Sequence, residues 1–327
     1  MRPVLAAGFV LFLLLAAAAL FQGWRAYTGP GPAGEAVTVI IPPGASLTRV
    51  GDLLAGAGVV RHPRLMVLAA RLADLLGRDR QPRAGEYSFP PRVSLRDALL
   101  QMARHQTVTR SLTIPEGLTS ARVWEILAAA PDLTGPLGET PPEGALLPET
   151  YHYSHGDSRA ALARRMQAAM AAAEAALWPP RAPVPPLRSW ADAVTLASIV
   201  EKETGLAEER PRVAAVFLNR LRLGMPLQSD PTVIYALTGG RSELDRPLNR
   251  RDWRFDSPYN TYRVRGLPPG PIANPGRAAL EAVLNPVTSN ELYFVADGSG
   301  GHAFAETLAD HNRNVARWRA FRDRAQP

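Results

Sequence analysis

Glu203 stands near the end of the run Ala197-Ser198-Ile199-Val200-Glu201-Lys202-Glu203-Thr204-Gly205. On a helix it falls one turn after Ile199 and Val200 and two turns after Leu196, so its carboxyl lies on an apolar stripe. A carboxyl deprived of water holds its proton more tightly. One still protonated near neutral pH can hand that proton to a leaving oxygen. The same spacing turns Glu201 toward Ala197 and Ser198, where it reads as an ordinary solvated charge. The competing reading of Glu203 is an exposed residue at a helix C-terminus, and the strings that follow it in the chain weigh against that.

Three polar strings come after it. Gln228-Ser229-Asp230-Pro231-Thr232 opens into Val233-Ile234-Tyr235. Ser257-Pro258-Tyr259-Asn260-Thr261-Tyr262 leads toward Gly266-Leu267-Pro268-Pro269-Gly270. Ala296-Asp297-Gly298-Ser299-Gly300-Gly301-His302 follows an apolar segment. Polar and aromatic groups on loops stiffened by Pro and Gly can build a cleft for carbohydrate. Gln228, Tyr259, Asn260 and Tyr262 are the candidate sugar contacts, since amides and phenols suit hydroxyl and acetamido groups and rings stack on sugar faces. Asp230 is the rival carboxylate, with a turn or helix cap before Pro231 as its alternative role. Thr204 either orients the neighbouring carboxyl or simply terminates the helix. His302 either lines the site or makes a structural hydrogen bond.

Other chemistries find little support. The chain has no cysteine, which excludes disulfides, thiolate metal sites and a cysteine nucleophile. His152 and His155 are close in sequence but lack an HExxH pattern or an acidic partner set. Ser198 lies in mid-helix with no GxSxG elbow around it. Gly298 to Gly301 lacks the strand-turn-helix setting of a dinucleotide loop. No metal and no cofactor are therefore expected. The net charge of +7 favours anionic partners. Without a dense Lys/Arg run or interleaved aromatics, nucleic acid is not among them; anionic lipid or an acidic wall polymer fits better.

The elements that must position these residues can be traced along the 327 residues. Pro3 to Trp24 carries no charge, and its apolar core from Val4 to Phe21 is long enough to span a bilayer. Residues 1–27 are read as a single-pass anchor, with Trp24 and Tyr27 at the interface. The alternative is a cleaved signal peptide with small residues at Ala17-Ala18-Ala19. Residues 28–36 form a Pro/Gly linker. Val37 to Ile41 predicts a strand, Ser46 caps a helix to Gly56, a second helix follows His62-Pro63, and Gly85 to Phe89 predicts another strand. Ser94 starts a further helix and Thr107 to Ile114 alternates like a strand. Beyond Pro131 to Pro148, a loop-rich stretch, Ser158 to Leu177 predicts a long helix and Arg181 to Pro186 a connector. Ser189 with Asp192 makes a capping box for the helix that ends at Glu203, and Gly205 is placed as its C-cap. A helix over about Glu209 to Leu223, a strand at Leu292 to Val295 and a last helix from about Thr307 to Arg324 complete the reading, with mostly loop between Gly224 and Leu292. The fold class is mixed α+β.

The strings LASIVEKET, SDPTVIY, SPYNTYRVRGLPPGPIANPG and LYFVADGSGGHAF closely resemble, in order and spacing, the endolytic murein transglycosylases of the YceG-like family. The likeness covers nearly the whole chain. It implies a LysM-like module over 37–108 and a catalytic domain over 109–327. It implies that Glu203, the second Glu of EKET, is the catalytic acid/base. The implied reaction is nonhydrolytic cleavage of the β-1,4 bond between N-acetylmuramic acid and N-acetylglucosamine, leaving 1,6-anhydro ends. Peptidoglycan strands would be the substrate, wall synthases would be partners, and the domain would lie outside the cytoplasmic membrane. Two other readings stay open: a muramidase-type hydrolase using Glu203 and Asp230, and a noncatalytic wall-binding scaffold.

Overall fold

The computed structural model describes residues 2–77, 81–178 and 184–325. The connector expected over 181–186 lies outside the described residues at 181–183. Helices and short strands are mixed along the chain, in two compact units: Met1–Arg110 with His152–Asp157, and Ser111–Tyr151 with Ser158–Pro327.

The first unit opens with helix α1 (Arg2–Thr28), which is uninterrupted. Its apolar stretch Ala7–Thr28 has 22 residues, about 33 Å at the helical rise, long and apolar enough to cross a bilayer. Phe9, Leu13, Leu20 and Trp24 are exposed along it. Strand β1 (Val37–Ile41) pairs antiparallel with β2 (Gly85–Phe89), with Val39 opposite Tyr87. The two-residue period turns Val39, Ile41, Tyr87 and Phe89 inward and leaves Ile40 outside. Between the strands lie α2 (Leu47–Gly56) and α3 (Pro63–Leu75). The Ser46 hydroxyl accepts from the Arg49 amide and starts α2, while Pro63 starts α3. Val50, Leu54, Met66 and Ala70 meet the sheet's inner face. Helix α4 (Leu95–Ala103), capped by Ser94, adds Leu99 and Met102 to the same core.

Strand β3 (Arg110–Thr113) is shorter than the alternation over 107–114 predicts, and its partner β4 (Thr150–Tyr153) was not expected. Helices α5 (Ser120–Ala129) and α6 (Arg159–Leu177) follow, capped by Thr119 and Ser158. The second unit is built around α7 (Trp190–Glu203), whose residues Ala193 to Val200 are buried on every side. Helices α8 (Arg210–Arg222) and α10 (Arg277–Leu284) pack on it, so Leu196, Val200, Val213, Phe217, Leu280 and Val283 share one core. Between these two helices lies α9 (Asp230–Thr238), and a short 3-10 turn spans Asp252–Arg254. Strands β5 (Tyr293–Ala296) and β6 (His302–Ala305) form an antiparallel hairpin, and α11 (Leu308–Ala325) packs against it.

The stretch after Gly224 is thus more regular than its loop-like composition predicts. Asp230-Pro231 starts α9 rather than a turn, because a proline in the first helical turn gives up no hydrogen bond. Helix α10 begins at Gly276 without a side-chain cap and is stabilised by burial of Ala279, Leu280 and Val283. Gly205 is not the cap of α7: Thr204 ends that helix in an extended conformation, at φ −138° and ψ 133°.

Candidate active site

Glu203 is the last residue of α7, a helix whose start is set by the capping box that Ser189 and Asp192 complete. Because the helix body is fully enclosed, its last turn meets the wall of the second unit. The two acids there part company, though not as the spacing predicts. Glu201 is not a solvated charge: its side chain is only 5% exposed, 3.1 Å from Arg210, and it accepts from the Gly276 amide at 2.9 Å. Arg210 also reaches Glu116 at 3.4 Å. Burial, and then the neighbouring Glu201, raise the Glu116 carboxyl above its ordinary range.

Glu203 is partly buried, and the Ser229 hydroxyl donates to its Oε1 at 2.5 Å. Burial pushes its pKa up from 4.5 to about 7. The Ser229 hydrogen bond opposes that rise, the Asp230 charge adds to it, and His302 and Arg220 pull the other way. Ser229 is itself fixed by a buried polar cluster. Its amide donates to Thr261 Oγ1 at 3.0 Å, the Thr232 hydroxyl donates to its carbonyl at 2.6 Å, and the two threonine hydroxyls lie 2.8 Å apart. The Ser-Asp-Pro-Thr and Tyr-Asn-Thr-Tyr strings therefore meet directly under the carboxyl.

One wall beside Glu203 holds Gln228, Asp230, Tyr262, Arg220 and His311 around a cavity of about 370 Å³. Gln228 adopts a left-handed conformation, φ 53°, rare for a residue with a side chain, and lies exposed in this wall. Asp230 Oδ1 accepts from the Tyr262 hydroxyl at 2.7 Å and from the Trp253 indole at 3.0 Å. Arg220 is buried and donates to the Leu292 and Leu227 carbonyls at 2.6 and 2.7 Å. Asn260 does not face this space. It is fully buried, donates to the Trp253 and Phe255 carbonyls and accepts from the Tyr262 amide, so its polar atoms build the loop. Tyr259 stands against Tyr235, ring centroids 4.9 Å apart, and lines neither cavity beside Glu203.

On the other side, Glu203 and Thr204 share a cavity of about 360 Å³ with Gly298, Gly300, Gly301, His302, Trp318 and Phe321. Thr204 does not orient Glu203. Past the helix end its hydroxyl turns to Glu209 Oε2, at 3.2 Å, and accepts from the Leu206 amide. Glu209 in turn holds His302: Oε1 accepts from the His302 amide at 2.8 Å, and Oε2 lies 2.7 Å from the ring Nδ1.

Of the residues singled out in the sequence, the structure places Glu203, Thr204 and His302 on one cavity and Glu203, Gln228, Asp230 and Tyr262 on another, both within the second unit, while Tyr259 and Asn260 line neither. Ser229, Glu209 and Arg220 also border the site, and nothing in the sequence marks them out. Ser229 sits inside a string that reads as a cap, and the other two belong to a helix that reads as structural. Among the described residues no three His, Asp or Glu side chains gather as a metal-binding group.

The sequence profile of the YceG-like family matches residues 39–317. A Streptococcus pneumoniae (serotype 2) protein named endolytic murein transglycosylase is 31% identical over 86% of this chain, and the chain spans 58% of that relative's length. A Bacillus subtilis protein of the same name is 48% identical over 37% of this chain and 32% of its own. The crystal structure of a yceG-like protein from Listeria monocytogenes is 29% identical and superposes with a TM-score of 0.51, covering 85% of this chain and 98% of that one.

Proposed function

The chain belongs to the YceG-like family, and from that premise we propose that it is a membrane-anchored lytic transglycosylase of peptidoglycan. The bond cut is the β-1,4 linkage between N-acetylmuramic acid and N-acetylglucosamine. The observation that carries the reading is one carboxyl, lifted to about 7, where two sugar-sized cavities meet. At neutral pH a large share of Glu203 holds its proton. It donates that proton to the departing O4 of N-acetylglucosamine as positive charge develops at C1 of the muramic residue. The C6 hydroxyl then closes on C1, and its proton can return to the Glu203 carboxylate. A 1,6-anhydro end results. Space on both sides of the acid suits binding within a strand, the endolytic mode.

Gln228 and Tyr262 line the first cavity and His302 the second, and these are the proposed sugar contacts. Asp230, fixed by Tyr262 and Trp253, serves there as an acceptor. The region 37–108 is proposed as a LysM-like wall-binding module, supported by the order of β1, α2, α3 and β2, and 109–327 as the catalytic domain. The apolar helix would hold both outside the cytoplasmic membrane as a single-pass anchor, near wall synthases. The test is digestion of purified sacculi by the full chain and by Glu203→Gln, with mass spectrometry of the new ends. Anhydro ends from the wild type and none from the variant are expected. Reducing ends would instead make the protein a muramidase, and sacculi bound but uncut would make it a binding protein.

A further inference from the structure

Glu203 is asked to serve two substrate oxygens in succession, the leaving O4 and the attacking O6. Its Oε1 already accepts from the Ser229 hydroxyl, so one lone pair of that oxygen is engaged before substrate binds. The groove holds a second group suited to the later task. His302 lines the same cavity as Glu203, and Glu209 holds it from outside that lining, with both partners of the pair only 15% exposed. Burial works against a charge on Glu209. The hydrogen bonds from the His302 ring and amide, and from Thr204, outweigh it and hold that carboxyl below its ordinary range. An ionised carboxylate only accepts hydrogen bonds, so the ring nitrogen 2.7 Å from it must carry a proton. The protonated ring is the charge that lowers Glu203 and Glu209; the neutral ring, the form a base requires, keeps its proton on Nδ1 and leaves Nε2 as an acceptor.

Local packing supports this pair at close quarters. A Cβ on Gly301 would sit 2.7 Å from Glu209 Oε1 and 3.3 Å from Leu206 Cδ1, so a side chain there would displace the Glu209 carboxylate from this position. Phe294 meets the His302 ring edge-on at 5.2 Å and restricts its rotation. The titratable and charged groups around the ring are Glu203 from α7 and Glu209 at the N-cap of α8, with Arg212 acting on Glu209 from the first turn of that helix.

We infer that His302 is a second catalytic residue, the base that takes the proton from the C6 hydroxyl, and that Glu209 is its positioning residue. This rests on the transglycosylase reading and changes only its second half. The C1–O4 bond breaks as Glu203 gives its proton to O4. The O6–C1 bond forms as the O6 proton passes to His302 Nε2. The cycle closes when the imidazolium returns a proton, through solvent, to the Glu203 carboxylate. Neither water nor any other reagent is consumed.

Single-turnover digestion of uncrosslinked glycan strands by the full chain tests this, with both rate and new ends recorded. The variant His302→Asn keeps an amide donor toward Glu209 but has no acceptor in place of Nε2. Its rate should fall about 100-fold, the low end for a lost general base, with KM changed less than about threefold. Its ends should include reducing muramic ends, since water can then capture a C1 centre that O6 reaches more slowly. Glu209→Gln should do the same, because its amide can donate to Nδ1 and move the ring proton to Nε2. The ratio of ends is a property of each turnover, so partial unfolding of a variant does not alter it. Wild-type rate and wild-type ends from both variants would overturn the inference alone. Reducing ends from the wild type would overturn the transglycosylase reading, and this inference with it.

Discussion

Replacing Glu203 by glutamine should stabilise the protein in alkaline but not in acidic solution. A carboxyl whose pKa rises from 4.5 to about 7 on folding is ionised more easily in the unfolded chain than in the folded one. Below pH 4.5 it is protonated in both states and contributes no difference. As pH climbs toward 7 the unfolded chain sheds the proton first, so the wild type loses stability across that window and keeps the deficit above it. The full shift corresponds to about 3 kcal/mol. Solvent on the open side of the groove screens part of this, so about 2 to 3 kcal/mol is expected. The amide oxygen of Glu203→Gln can still accept from Ser229, and any change in that bond adds an offset independent of pH. The assay is urea unfolding of both proteins at steps from about pH 4 to pH 8, with the difference in unfolding free energy plotted against pH. It should rise by the stated amount between 4.5 and 7. A difference that stays level within about 0.5 kcal/mol would show that Glu203 is no harder to ionise in the fold than in the open chain.

Ser229→Ala removes the donor that favours the Glu203 carboxylate, so the pKa should move further up and the alkaline fall of activity should shift to higher pH in a pH–rate profile. Glu201→Ala should lower stability by about 1 to 3 kcal/mol in thermal or urea unfolding, because the Gly276 amide loses its acceptor while Arg210 keeps only Glu116 as a partner. Removing residues 1–28 should give a protein that stays in the supernatant of a detergent-free lysate, since the exposed apolar side chains of α1 leave with it.

What could be read from the residues was whatever local periodicity controls. The apolar steps from Leu196 through Val200 set the face on which Glu203 lies, and Ser189 with Asp192 set where α7 begins. The β-branched run Val37–Ile41 likewise marks the strand β1, which the structure bounds at the same residues. The failures begin where a side chain's neighbours come from distant parts of the chain. Glu201 looks solvated on its own helix, and only Arg210 and the Gly276 amide, from two other elements, enclose it. Thr204 follows Glu203 directly, yet the turn out of the helix points its hydroxyl to Glu209. Ser229 was masked by its place in Ser-Asp-Pro, which has ordinary capping chemistry. Asn260 has the right amide for a sugar but spends it on three backbone groups of its own loop.

The most direct measurement is kcat/KM for glycan cleavage by the full chain as a function of pH, since this quantity reports the ionisation of the free enzyme. If Glu203 splits the strand as a proton donor, the profile falls on its alkaline side with a midpoint at about 7, and Glu203→Gln shows no cleavage at any pH. A profile that stays level from about pH 6 to pH 9, with the variant still cutting strands, would contradict that role for this carboxyl.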